Sequence, residues 1–581
     1  MPRRIINALY TIAYKLAQSL KRFPESLALI TITALLFIDE NHNRVISNLL
    51  KEDFMKLPMV LLMGFVLFLC FRVLNESDFL KNRILKISAW IFSAGFSVLY
   101  YFFLLPELLT VHVVRYIAIV FAMVMAFLFI PYLKRKVGFE MYIIKLIIGL
   151  LITYLYAGVL CLGLIAIVFT VDQLFTLHIN GRIYLDLWIV AAMVFAPAYF
   201  LGDIPKQNTE LDEDNYSKIL KILFLYIIMP ILSIYTAILY VYFAKVLITQ
   251  TWPQGMVSNL VLWYSFITAA IIFLIKPLWN KNLWAYKFCK AMPIAIIPLI
   301  FMCFWAMGIR INSYGITESR YYVLVGALWV LFTMCYWIIR KSHNNIILPI
   351  SLAIIALITV TGPQSATSVS YNSQSNRLTG YLEKNNMLKD GKLVKAGSDI
   401  SKADISEISS IIRYIDRAHG LKKLAYMPSD FSMFNAADTL GFEIDYSNYG
   451  GGRKYYNYMM TSAKPIDISG YRYYSDIRTY DIKGNIVGSG STDYKIEYNV
   501  QSGIVTINKQ DKKVYEKKIA DFAANLPRDE GKGMEMNMDE LTFTDKQGDI
   551  EVKYIFRAMG IEADSYGNYT LSHADFSIFI K

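Results

Sequence analysis

From Phe23 to Thr361 the chain repeats one pattern: a long apolar run, then a short polar or charged break. Eleven such runs can be read, over 23–38, 57–74, 84–105, 113–133, 142–171, 183–202, 219–249, 257–275, 293–309, 322–339 and 346–361. A helix needs about 20 apolar residues to cross the hydrocarbon core of a bilayer. Lipid leaves no water to satisfy backbone groups, so runs of this kind are helical. The pattern predicts about eleven transmembrane helices. The run at 219–249 is long for one crossing and holds Pro230, which predicts a kink or a protruding end. Residues 1–22 differ. Ile5, Leu9, Ala13, Leu16 and Leu20 recur at helical spacing with Lys15, Lys21 and Arg22 among them. That is an amphipathic segment suited to the membrane interface.

After Gly362-Pro363 the long apolar runs stop. Leu378, Leu382 and Leu388 suggest a helix over about 366–387. Ser401 is placed to cap a second helix over about 402–418, with Asp404 near its N-terminus and Gly420 closing it. Ile405, Ile408, Ile411, Ile412 and Ile415 give that helix an apolar face. From about 440 the period becomes two. Stretches such as "DYKIEYNVQSGIVTINKQ" read as strands, with turns at Lys483-Gly484-Asn485 and Gln547-Gly548-Asp549. The fold class predicted is therefore an all-α polytopic membrane bundle followed by an α+β domain with one antiparallel sheet. The expected divisions are 1–22, 23–363 and 364–581.

Composition sharpens this picture. The chain is 55% hydrophobic and 18% charged, with mean hydropathy +0.39; soluble domains carry about 25% charged residues. The net charge is +12. Residues 364–581 hold 28 Lys and Arg against 29 Asp and Glu, so the excess lies in the membrane half. There it sits in short connections, which argues against a nucleic-acid partner and for the lipid bilayer. Taking alternate connections, one set holds about nineteen Lys and Arg and the other about six. The positive set faces the cytoplasm, so a cytoplasmic N-terminus and an extracytoplasmic C-terminal domain are expected, in a bacterial cytoplasmic membrane.

Candidate chemistry is sparse. The five cysteines (70, 161, 289, 303, 335) lack metal or redox spacing and read as small buried hydrophobes. The six histidines form no zinc motif. No metal or cofactor is expected, and no nucleophile motif is present. Polar residues on the expected outer face form a candidate vestibule: Asp39 and Glu40 after the first run, Trp252 and Gln254 before the eighth, and Arg310, Asn312, Tyr314, Glu318 and Arg320 between the ninth and tenth. The stretch "YSNYGGGRKYYNYMM" (446–460) reads either as an aromatic rim for sugars or a partner, or as a glycine loop running into a strand.

Three stretches, "WPQGMVSNLVLWYS" (252–265), "GIRINSYGITESRYYVLVGALW" (308–329) and "GPQSATSVSYNSQSNRL" (362–378), resemble a family of bacterial membrane proteins filed as domain of unknown function 4153. The resemblance implies a polytopic membrane protein and assigns no activity to any residue. Binding, sensing or a scaffold role at the cell envelope is the expected function, with an envelope glycan, lipid or protein as partner. A transporter is the second reading, which calls for ionisable groups within the spans. The third is an enzyme of lipid-linked glycan transfer, resting on the Asp39-Glu40 pair.

Overall fold

The computed structural model describes residues 2–42, 54–77, 82–104, 110–134, 138–177, 179–206, 216–250, 256–340, 344–397, 399–428, 431, 433, 436–445, 454–461, 464–478, 486–490, 494–499, 502–510, 512–519, 522, 526, 533–563 and 569–581. The chain forms two compact units, Met1–Ser373 and Gln374–Lys581.

The first unit is helical. After α1 (Pro2–Arg22) and α2 (Pro24–Asn41) come, among the described residues, nine helices long and apolar enough to cross a membrane: α3 (Lys56–Glu76), α4 (Arg83–Phe103), α5 (Val111–Tyr132), α6 (Phe139–Phe175), α7 (Arg182–Asp203), α8 (Lys218–Thr249), α9 (Ser258–Lys281), α10 (Leu283–Tyr314) and α11 (Glu318–Ile339). The apolar α12 (Ile347–Ile358) is shorter. All eleven predicted runs are thus helical; two of them differ from the nine, α2 in carrying Glu25, Asp39 and Glu40 and α12 in having 12 residues.

Proline shapes two of the long helices. A π-helical turn, Val190–Phe195, precedes Pro197 in α7, and another, Leu223–Ile228, precedes Pro230 in α8. Proline has no N–H, so the carbonyl four residues back loses its partner and the turn widens. The irregularity predicted at Pro230 is this π-turn.

Side-chain placement follows the solvent. One core joins α8 to α11 around Met229, Val261, Ile296, Ile300 and Val330. A second joins α2, α3, α5, α6 and α7 around Phe23, Leu27, Val73, Tyr142 and Leu201. Many apolar side chains of this unit point outward, Ile248 at 81% exposure and Ile84 at 79% among them. Charged partners collect at helix ends. Lys15 meets Asp203 at 2.7 Å, and Arg22 grips Glu76 with two bonds of 2.7 Å. Arg72 pairs with Glu25. A Cβ on Gly202 would lie 2.3 Å from the Lys15 carbonyl oxygen, so glycine is what lets α1 lie against α7.

The second unit begins within α13 (Ala366–Lys384). The hairpin β1 (Leu388–Lys389) and β2 (Lys392–Leu393) follows, then α14 (Lys402–His419) and α15 (Ala436–Leu440). The α14 cap is as the sequence predicts: Asp404 N–H donates to Ser401 Oγ at 3.1 Å, and Gly420 ends the helix at φ +78°. Lys384 on α13 bonds both carboxylate oxygens of Asp404 at 2.9 Å, which holds the Asp404 carboxyl below its usual range.

Besides the β1–β2 hairpin, the described residues form two sheets where one was expected. The first holds β3 (Lys454–Met460), β4 (Tyr473–Ile477), β9 (Gly533–Met536), β10 (Thr542–Gln547), β11 (Ile550–Ala563) and β12 (Tyr569–Ile580), in the order β4-β12-β11-β3-β9 with β10 also on β11. Its β3–β9 pair is parallel. The second is β5 (Ile486–Gly490), β6 (Tyr494–Asn499), β7 (Ile504–Lys509) and β8 (Lys512–Lys518), a meander. The two share one core: Ile496, Tyr498, Val505 and Ile507 pack with Tyr554, Phe556, Phe576 and Ile578. Period two explains the arrangement, since Ala574, Phe576, Ile578 and Ile580 fall on one face of β12. Tyr515 OH donates to Asp545 Oδ2 at 2.9 Å and accepts from Tyr554 OH at 3.3 Å, so the buried phenols are satisfied. Of the glycine–tyrosine stretch, 446–453 lies outside the described residues. Tyr456 and Tyr458 are buried in the core, not on a stacking surface.

Candidate functional site

The connection between α10 and α11 is shorter than the sequence suggested. The helix does not stop at 309 but runs to Tyr314, so Arg310 and Asn312 are helical and only Gly315, Ile316 and Thr317 link it to α11. The last turn of α10 leaves carbonyls without intrahelical partners. Gly315 N–H returns to the Ile311 carbonyl at 2.8 Å. Arg320 Nη1 donates to the carbonyls of Tyr314 at 3.0 Å and Gly315 at 2.5 Å, with its guanidinium over the Tyr314 ring. Arg320 is therefore a cap: a cation on the negative end of a helix, tied to the next one. Arg310 forms no ion pair among the described residues. Asn312 and Tyr314 are exposed.

The turn instead docks on residues 364–373. Glu318 is half-buried and hydrogen-bonds the Thr367 side chain. Tyr321 OH donates to the Gln364 carbonyl at 2.6 Å, and Ile316 N–H donates to Ser373 Oγ at 2.9 Å. Ser365 and Ser368 hydroxyls meet at 3.0 Å, and Ala366 N–H reaches back to the Thr359 carbonyl at 2.8 Å. The result is a hydroxyl-rich cap on the N-terminal end of α11. Sequence reasoning grouped Glu318 with other charges and passed over Gln364, Thr367 and Ser373. Their signal was the run of hydroxyl residues in 365–373, directly after the last apolar run.

Beside this cap lies an apolar groove of about 660 Å3 between α5, α9, α11 and α12. Its walls include Phe121, Trp263, Phe266, Tyr322, Trp329 and Leu352, and Thr359 lies at its rim. The Phe266 and Trp329 rings stack at 5.1 Å, and Trp329 Nε1–H donates to Ser351 Oγ at 2.9 Å, so the floor is rigid and its one polar atom is satisfied. A Cβ on Gly326 would come within 3.2 Å of Phe266 and 3.3 Å of Leu262, so glycine sets the close approach of α11 to α9 here. A further cavity of about 300 Å3 shares Met125, Phe266, Trp329 and Leu352, extending the groove toward α6. Tyr322 stands one helical turn from Glu318, and Thr359 accepts from the start of the 366–373 segment, so groove and cap adjoin.

The other vestibule candidates lie elsewhere. Asp39 and Glu40 lie in the last turn of α2. Next to them, His42 Nε2 lies 2.6 Å from Asp186 Oδ2, and Asn41 Nδ2 donates to Asp186 Oδ1 and to the Arg182 carbonyl, each at 2.8 Å. Asp186, an acid inside an apolar run, was the signal for that cluster. Trp252 and Gln254 lie outside the described residues. Among the described residues no three His, Cys, Asp or Glu side chains gather as a metal site.

Parts of all three stretches that carried the family resemblance meet here: Trp263 from the first, Glu318 to Trp329 from the second, and 364–373 from the third. Over 189 residues the chain is 25% identical to "Uncharacterized protein PM1469" of Pasteurella multocida (strain Pm70), a match covering 31% of each chain. No solved structure matches the chain. The model of the family described as "Domain of unknown function (DUF4153)" matches residues 27–393, and the chain belongs to that family.

Proposed function

We propose that this is a lipid-binding protein of the bacterial cell envelope. An acyl chain lies in the groove between α5, α9, α11 and α12, and the polar end of the same molecule meets the cap made by Glu318, Tyr321, Gln364 and Thr367. The observation that carries this is the adjacency of the two: a long apolar groove open between membrane-crossing helices, ending at a hydroxyl-rich rim. Bound lipids need this combination of apolar walls and few placed polar groups.

The loop charges support an outward-facing rim, with residues 1–22 on the cytoplasmic side and 364–581 outside. α2 fits as a further crossing. Its N-terminal end pairs with the end of α3 through Glu25 and Arg72, and its C-terminal end bonds the start of α7 through Asn41 and His42. With α12, that gives the eleven crossings the sequence suggests. Transport is less well supported, because each of the ion pairs that involve these helices (Lys15–Asp203, Arg22–Glu76, Arg72–Glu25, His42–Asp186) includes a residue at or near a helix end.

The test is photolabelling of full-length protein in vesicles with a phospholipid carrying a diazirine in its acyl chain, followed by peptide mapping. Labels should concentrate on α5, α9, α11 and α12 groove residues and fall several-fold in Ala356→Trp, which fills the groove. Leu162→Trp, on an exposed face of α6 away from the groove, should leave them unchanged. Even labelling of groove and outer faces, indifferent to Ala356→Trp, would remove the proposal.

A further inference from the structure

At the other end of the same helices lies a cavity of different character. It has a volume of about 520 Å3, within the range of about 300–1,000 Å3 typical of small-molecule sites. Three cations line it: Lys276 near the C-terminal end of α9, Lys290 in the second turn of α10, and Arg340 just after α11. Among the described residues none of the three forms an ion pair. Nor, among the described residues, does any Asp or Glu line the cavity. Aromatic rings frame the cations, with Lys276 Nζ 4.1 Å from the Trp279 ring centroid and Lys290 Nζ 4.6 Å from that of Tyr286.

The polar floor is built. Asn345 lines the cavity, is 2% exposed, and is held at both ends of its amide. Its Oδ1 accepts from Trp337 Nε1 at 2.9 Å, and its Nδ2 donates to Glu140 Oε1 at 2.6 Å. Glu140 is the acid whose charge acts on Lys276; it accepts from Asn345 and is not among the residues that line the cavity. The described lining therefore holds three cations and no carboxylate, with one acid bonded to its asparagine.

We propose that this cavity binds a phosphate ester, with Lys276, Lys290 and Arg340 as its charge partners and Trp279 and Tyr286 packing on the carbon skeleton that carries the phosphate. Lysine and arginine suit a phosphate as point charge and as bidentate donor. The position at the helix ends suits the headgroup of an anionic phospholipid, because basic pockets between membrane helices attract such headgroups. A water-soluble phosphorylated metabolite offers the same chemistry from the aqueous side. This site is separate from the groove and stands whether or not the groove holds lipid.

Purified, delipidated full-length protein is titrated by native mass spectrometry with dioleoylphosphatidylglycerol, with dioleoylphosphatidylcholine, and with glycerol 3-phosphate. Two results are consistent with the site. Preferential retention of phosphatidylglycerol over phosphatidylcholine assigns the headgroup, and saturable binding of glycerol 3-phosphate assigns a soluble ligand. In either case Lys276→Gln combined with Lys290→Gln should weaken binding at least tenfold, and Lys287→Gln, an exposed lysine outside the lining, should not. Ile294→Trp, which narrows the cavity while leaving every charge in place, should weaken it as well and guards against a loss caused only by net charge. Equal retention of both lipids with no glycerol 3-phosphate binding overturns the proposal, as does binding that survives the double substitution and Ile294→Trp.

Discussion

The same residue types take opposite positions in the two units. Isoleucine is 81% exposed at position 248 and 79% at 84 in the first unit, yet fully buried at 578 in the second. Tyr226 and Phe102 point outward, while Tyr554 and Phe576 are enclosed. Burial of apolar surface drives the second unit, where water is the solvent that penalises exposure. In the first unit outward apolar surface is the rule along whole helices, which is stable only where the surroundings are apolar too. Polar groups follow the inverse rule. Among the described residues, the ion pairs of the first unit each include a residue at or near a helix end, and those of the second include pairs on strand and helix surfaces, such as Lys513–Glu516 and Arg377–Glu407.

The largest expected effect comes from one truncation made in both units. Phe576→Ala removes a ring enclosed by Tyr498, Tyr554 and Phe556, and should destabilise the second unit by about 3–5 kcal/mol. Phe169→Ala, on the outward face of α6, should change stability by less than about 0.5 kcal/mol, because surrounding lipid fills the space. Thermal unfolding of the two variants in a mild detergent checks the contrast, and equal losses would break it.

Ion pairs should divide in the same way. Arg22→Ala leaves Glu76 without its two bonds and also strips donors from the Ile204 and Pro205 carbonyls; a loss of about 2–3 kcal/mol is expected. Lys464→Ala opens a pair whose side chains are 63% and 79% exposed, and should cost under about 1 kcal/mol. A double-mutant cycle for each pair reads the coupling directly.

The smallest effect is a pH dependence confined to the second unit. Burial of His419, with Lys423 nearby, pushes its imidazole down to about 4, against about 6.5 in an unfolded chain. The folded state therefore binds fewer protons than the unfolded state between these values. The contribution is fully present above about pH 6.5 and is lost as pH falls toward 4. Chemical denaturation at pH 7 and pH 5 should show a fall on the order of 1 kcal/mol, after allowance for solvent screening, that His419→Gln flattens.

Local rules were the legible part of the sequence. Apolar run length located the helices, Ser401 and Gly420 bounded α14, and period two marked β7 and β12. Relations between distant segments were not legible. Nothing in the α10–α11 connection announces that Tyr321 reaches Gln364 or that Ile316 reaches Ser373, because a hydroxyl at one position has no local pattern that names its partner. Charge misled for a related reason. Arg310, Glu318 and Arg320 are close in sequence, but Arg320 turns back onto carbonyls and Glu318 onto Thr367. The second sheet was missed because alternation fixes which face of a strand is buried, not which strand lies beside it; β3 pairs with β9 and β11, both far along the chain. The groove arises from Gly326 and from the mutual placement of four helices, which no single stretch encodes.

The outward rim and external second unit stand or fall on sidedness. The most direct measurement is thiol labelling of intact cells with a membrane-impermeant reagent, in a background without the five native cysteines. Ser502→Cys, in the exposed β6–β7 turn, should label, and Asn280→Cys, exposed at the end of α9, should label only after the membrane is permeabilised. Labelling of Asn280→Cys in intact cells with Ser502→Cys protected would contradict the proposed orientation and put the cap of Glu318, Tyr321, Gln364 and Thr367 in the cytoplasm.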